Sequence, residues 1–210
     1  MNTNTIHATR NALSIVAAFV KERPNFCAGN YDSAAGYSAD RRRAANQKGD
    51  ALAALGSADN AARHLDRAGI LSAEVLAAAI AAGNSTGSGR FQLLGTSDGF
   101  RAEYVCGQYW PTEYRNGAAR WAKAFARELA DVQARAQTDL IEQLKGQGMT
   151  AKGAALAAEY MQRNGHKLDD EGEVFGLFSV WYEGDRRHTF DTLAAAAEFA
   201  AVHGSNIYRA

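Results

Sequence analysis

Five histidines, His7, His64, His166, His188 and His203, and two cysteines, Cys27 and Cys106, are the side chains of this sequence best suited to nucleophilic or metal chemistry. Their spacing does not organise them. No HxH, HExxH or CxxC pattern occurs, so nothing sets two imidazoles on one helix face or pairs thiolates for zinc. A G-x-S-x-G elbow, which would present a strained serine, is also missing. Two looser combinations remain. Cys106 could act as nucleophile with His188 as base, but Cys106 stands in an apolar alternation, where a thiol packs inertly. His166 with Asp169 and Asp170 could hold a metal weakly, in a glycine-bounded stretch typical of a solvated turn. The expectation is therefore no catalytic residue, no metal and no cofactor. An enzyme with an unrecognised site is the third and last reading.

Phosphate chemistry offers more residues and no better geometry. Gly83–Arg90 is as glycine-rich as a phosphate loop, but it carries Ser88 and Arg90 where a Walker motif ends in Gly-Lys-Ser/Thr. It also runs into a strand pattern, so no helix N-terminus would aim amides at a phosphate. Leu65, Gly69 and Val75 fit the spacing of a helix-turn-helix. The second helix of that pair, Ser72–Ile80, holds one carboxylate and no basic or amide side chain with which to read a base edge. A helix, turn and hairpin over 150–190 suggest a wing tipped by Arg186, Arg187 and His188. Residues 149–210 nevertheless carry six basic against nine acidic groups, a balance that repels a phosphate backbone. Arg41, Arg42 and Arg43, with Lys48 nearby, form the one dense basic run. At roughly 100° per helical residue the three guanidiniums fan out around the helix and suit a solvated face better than one pocket. DNA or RNA binding through a helix-turn-helix-like or winged element is the second reading.

The leading reading comes from aromatic residues. Tyr104, Tyr109, Trp110, Tyr114 and Trp121 are the densest such group, with Arg101 and Arg115 beside them. Aromatic and arginine side chains dominate interface hot spots. Tyr104 and Trp121 are phased for a core seam between a hairpin and a long helix, which leaves Tyr109, Trp110, Tyr114 and Arg115 around Pro111 for a partner. Together with Arg41, Arg42, Arg43, Arg186 and Arg187 they are the partner-binding candidates of a non-catalytic protein-binding module. A chain so poor in motifs suits an accessory or inhibitory protein of a phage or plasmid.

The elements that must position these residues divide at Gly83. Up to that point the patterns are helical: 5–22, then Ser38 or Asp40 to Leu55, then 58–68 and 72–82. Residues 84–89 are small and polar, so the expected domains are a helical 1–83 and an α+β 90–210. Phe91–Thr96 and Phe100–Cys106 flank a Ser97-Asp98-Gly99 turn, and a long helix follows over 116–145. Val174–Glu183 and Arg186–Phe190 repeat the arrangement before a helix over 193–203. The fold class is predominantly helical α+β, with two hairpin–helix units that could share one small antiparallel sheet and could be a degenerate repeat.

Composition agrees with this layout. Alanine supplies 44 of the 210 residues and proline only two, while 23 basic and 23 acidic groups cancel. Such a chain is neither disordered by composition nor a generic polyanion binder. Its alanine-rich helices allow close packing with one another or with a second copy, so homo-oligomers are allowed. Ala12–Val20 is apolar but is followed at once by Lys21-Glu22-Arg23, with no cleavage pattern, and no run of 18 apolar residues occurs. The expectation is a cytoplasmic protein without a membrane partner.

Overall fold

The computed structural model describes residues 3–22, 28–86, 90–97, 99–105, 111–166 and 174–210, and of 3, 96, 99, 105, 111–116 and 175 the backbone alone. Six helices and five strands follow in the order α1 (Thr3–Lys21), α2 (Ala34–Arg67), α3 (Ala73–Asn84), β1 (Arg90–Thr96), β2 (Gly99–Val105), α4 (Pro111–Gly146), α5 (Ala151–Asn164), β3 (Phe175–Tyr182), β4 (Arg186–Thr192), α6 (Leu193–His203) and β5 (Ile207–Arg209). The fold is a predominantly helical α+β arrangement with two small antiparallel sheets. Among the described residues no helix is long and apolar enough to cross a membrane.

The chain packs as two compact units, one made of 1–66 with 71–132, the other of 67–70 with 133–210. The boundary falls inside α4, between Val132 and Gln133. Each unit has its own core.

In the first unit α2 is a single helix of 34 residues, where the sequence reads two helices separated near Gly56. Ala51, Leu55, Ala58, Ala62 and Leu65 are buried at alternating intervals of four and three residues, so one continuous face packs inward. That packing outweighs a glycine in an exposed turn, a cost of about 1 kcal/mol. β1 and β2 pair from Arg90↔Val105 to Thr96↔Gly99, so the expected hairpin forms but Gly99 belongs to the strand rather than to a three-residue turn. This hairpin lies on α1, whose Asn11 Nδ2 donates to the Ala102 carbonyl at 2.5 Å. Trp121 of α4 completes the layer, its ring 4.5 Å from Phe91 and 4.6 Å from Phe125. The seam expected between hairpin and helix is therefore formed, with Trp121 buried and Tyr104 half-buried against Phe91 and Phe19.

In the second unit β3 is the central strand, in the order β4-β3-β5. The hairpins do not share a sheet, contrary to that part of the expectation: β1-β2 and β4-β3-β5 are separate, and each hairpin closes on the helices of its own unit. β5, three residues without a readable alternation, fills the second edge of β3 instead. Thr150 and Thr192 cap α5 and α6, accepting from Gly153 and Ala195 amides, and Gly165 and Gly204 end those helices in the left-handed conformation. Glu198 of α6 also accepts from the Thr150 amide and hydroxyl, both at 2.7 Å, locking the two helices together.

Candidate functional site

The pairing of the three-stranded sheet decides which side chains share a face. Directly opposed residues of antiparallel strands point the same way, and neighbours along a strand point oppositely. Phe178, Val180 and Tyr182 face inward with Phe190, His188 and Ile207, their pairing partners or register-mates. Phe178 meets Tyr160 of α5 and Tyr182 meets Phe199 of α6, at 5.6 and 5.0 Å between rings. Their neighbours must face outward. These are Leu177, Ser179 and Trp181 of β3, Arg187 and Thr189 of β4, and Tyr208 of β5.

Three of those outward side chains are large, apolar and exposed: Leu177 at 60%, Trp181 at 45% and Tyr208 at 48%. Isolated exposed apolar residues are ordinary on protein surfaces; three on one face of a three-stranded sheet are not. The Arg187 guanidinium lies 5.9 Å over the Trp181 ring, adding one positive charge to an apolar surface. The face can bury aromatic area against a partner and offer a planar cation to a carboxylate.

Of the described residues singled out in the sequence, Arg187 is the one on this face. Arg186, its neighbour, points to the other face and pairs with Glu183 at 3.2 Å. Arg41, Arg42 and Arg43 are exposed on the first half of α2, where Arg43 pairs with Asp40 at 3.5 Å and Arg41 lies 5.5 Å over Tyr37. Tyr109 and Trp110 lie outside the described residues, as do the side chains of Tyr114 and Arg115. Cys106 does too, and so do Asp169 and Asp170, which leaves the two looser chemical combinations without described partners. Among the described residues no group of three or more His, Cys, Asp or Glu side chains is placed to hold a metal ion.

Sequence reasoning passed over Leu177, Trp181 and Tyr208. The run Val174–Glu183 is apolar at both parities and reads as a strand buried on both sides. The available signal was the hairpin partner: Arg187 and Thr189, both exposed, lie on the same face as Trp181, and such polar neighbours belong to a solvent face, although Ser179 between them is itself buried at 2%. Comparison with protein-family models, with curated proteins and with solved structures finds no match for this chain.

Proposed function

We propose that this chain is a non-catalytic protein-binding module whose outer sheet face, Leu177, Trp181 and Tyr208 with Arg187, receives a protein partner. The observation that carries the reading is the joint exposure of those three large apolar side chains on one sheet face. Tryptophan, tyrosine and arginine are the residues that concentrate binding energy in interfaces. Charge indicates the partner's chemistry: a folded protein presenting an apolar patch with a carboxylate beside it, set to meet Arg187. The cytoplasm is the compartment this reading assumes.

The test compares the wild-type chain with Trp181→Ala and Leu177→Ser as bait, and follows the free proteins by analytical ultracentrifugation. A stoichiometric protein that is retained by the wild type, lost by both variants, and rebinds as a purified component supports the reading. Equal retention by both well-folded variants overturns it, as does a wild-type chain that only pairs with itself through this face. Nucleic-acid binding predicts instead a steep loss of affinity with salt and sensitivity to Arg41–Arg43 substitutions. The local pairing of Arg43 with Asp40 and of Arg186 with Glu183 gives that second reading less support.

A further inference from the structure

The three-stranded sheet ends on an open strand. Among the described residues β4 has one neighbour, β3, so its other side presents unpaired backbone amides and carbonyls along a strand of seven residues. Natural edges are blunted by shortness, proline, bulges or charge. β4 is no shorter than most strands and holds no proline or glycine, and the one register shift lies between Phe175 and Phe178, in β3. Charge is what remains, in Arg186, Arg187 and Asp191. Arg186 is answered within the chain by Glu183 at 3.2 Å. Arg187 and Asp191 form no ion pair among the described residues. Four residues of strand, about 13 Å, keep them from meeting each other.

A second copy supplies what this edge lacks. Two identical strands related by a two-fold axis normal to their sheet run antiparallel and keep their faces, so each residue opposes one of its own parity. The register is then centred on a residue, and the centre that pairs all seven positions of β4 is Thr189. Thr189 opposes Thr189, His188 opposes Phe190, Arg187 opposes Asp191 and Arg186 opposes Thr192. The two unanswered charges thus fall opposite each other twice, on the outer face. They do so at the cross-strand spacing of about 4.5–5.5 Å, where opposite charges stabilise a pair and like charges destabilise it. The inner face agrees. His188 is exposed and Phe190 half-buried, their rings are 4.8 Å apart, and each lies 5.2 Å from the half-buried Phe199 of α6. Set against its copy, that cluster continues across the axis as two His188–Phe190 pairs. Val202, 79% exposed and three residues after Phe199, adjoins it on the surface of α6 and extends this apolar margin.

We propose that β4 is a dimerisation edge: two copies of this chain join antiparallel about Thr189, and each three-stranded sheet becomes half of a six-stranded one in the order β5-β3-β4-β4-β3-β5. The contact is isologous, so the Arg187–Asp191 pair occurs twice and the assembly closes at two copies. The inference does not rest on the partner proposed for the outer sheet face, since Leu177 and Trp181 stand one strand in from the edge. The dimer sets two such faces side by side, and Arg187, with five N–H donors, keeps donors free after pairing with one carboxylate.

The experiment measures the mass of the full chain in solution by sedimentation equilibrium over a concentration series. The wild type is expected to form a dimer and nothing larger. Asp191→Arg sets an arginine against Arg187 of the second copy and should weaken the dimer by about tenfold or more, as should Arg187→Asp. The double variant Arg187→Asp/Asp191→Arg restores the pair in reverse and should return to within about threefold of the wild type. Leu177→Ser, which removes an apolar contact of the outer face, should leave the dimer intact whatever it does to the capture of a protein partner. If Asp191→Arg fails to fold, exposed Arg187→Asp still decides. A monomeric wild type, an unaffected dimer in well-folded Arg187→Asp, a double variant no better than either single one, or a dimer broken by Leu177→Ser overturns the proposal.

Discussion

The indole of Trp121 occupies the space that a side chain on Gly83 would need, so α3 and α4 can meet at this point only because residue 83 has no Cβ. Trp121 Nε1 also donates to Asn84 Oδ1 at 3.2 Å, and Asn84 clasps the Phe91 backbone, accepting from its amide and donating to its carbonyl at 2.8 Å each. One glycine–asparagine pair thus joins two helices and the first strand of the hairpin. Gly83→Ala gains helix propensity but forces the buried indole aside. The expected net cost is about 1–3 kcal/mol, because overpacking outweighs the roughly 1 kcal/mol that alanine returns. Asn84→Ala leaves the Phe91 amide without that acceptor and should cost a similar amount. Chemical denaturation of both variants measures this; an unchanged midpoint for Gly83→Ala would show that the close approach is not required.

A pH effect is expected at the start of α3. Glu74, in the first turn, is held by its own backbone amide and by the Ser72 hydroxyl, and these bonds lower its carboxyl below the ordinary glutamate range against a smaller opposing effect of burial. The folded value lies below the unfolded one. The contribution of this group is therefore fully present above the unfolded value and disappears as pH falls through the folded one. An NMR titration should give Glu74 a midpoint below that of exposed glutamates. Glu74→Gln should reduce the acid-side loss of stability while leaving the neutral-pH helix in place.

Helices were legible wherever packing and capping chemistry agreed. Ser72, Thr150 and Thr192 each precede an apolar-periodic run and each caps the helix that follows. The continuity of α2 was not legible, because Gly56 signals a break locally while the face from Ala51 to Leu65 is completed only by other elements. The contact of Arg67 with the end of α5 was invisible for a different reason. Arg67 and Arg163 stand 96 residues apart and belong to no motif, and only the end of α5 brings them together. Leu177 and Trp181 were readable in principle, yet an apolar strand announces burial until the parity of its partner strand is known.

α1 carries a buried hydroxyl that gains nothing from burial. Thr5 is 1% exposed, and its Oγ1 has no hydrogen-bond partner, while four residues on Thr9 Oγ1 donates to the Thr5 carbonyl at 2.9 Å. The two threonines share a helix, a degree of burial and a side-chain shape, and differ in whether the hydroxyl is satisfied. Valine keeps the β-branched shape and a similar helix propensity, so substitution isolates the hydroxyl. Thr5→Val removes an unpaired buried polar group and should stabilise the protein by about 1 kcal/mol, within the range of 1–3 kcal/mol for such groups. Thr9→Val removes a made bond as well as a buried hydroxyl, so its expected effect is near zero or destabilising by about 0.5 kcal/mol. Urea midpoints of the pair decide the matter: a Thr5→Val variant less stable than Thr9→Val would mean that the Thr5 hydroxyl is satisfied in solution.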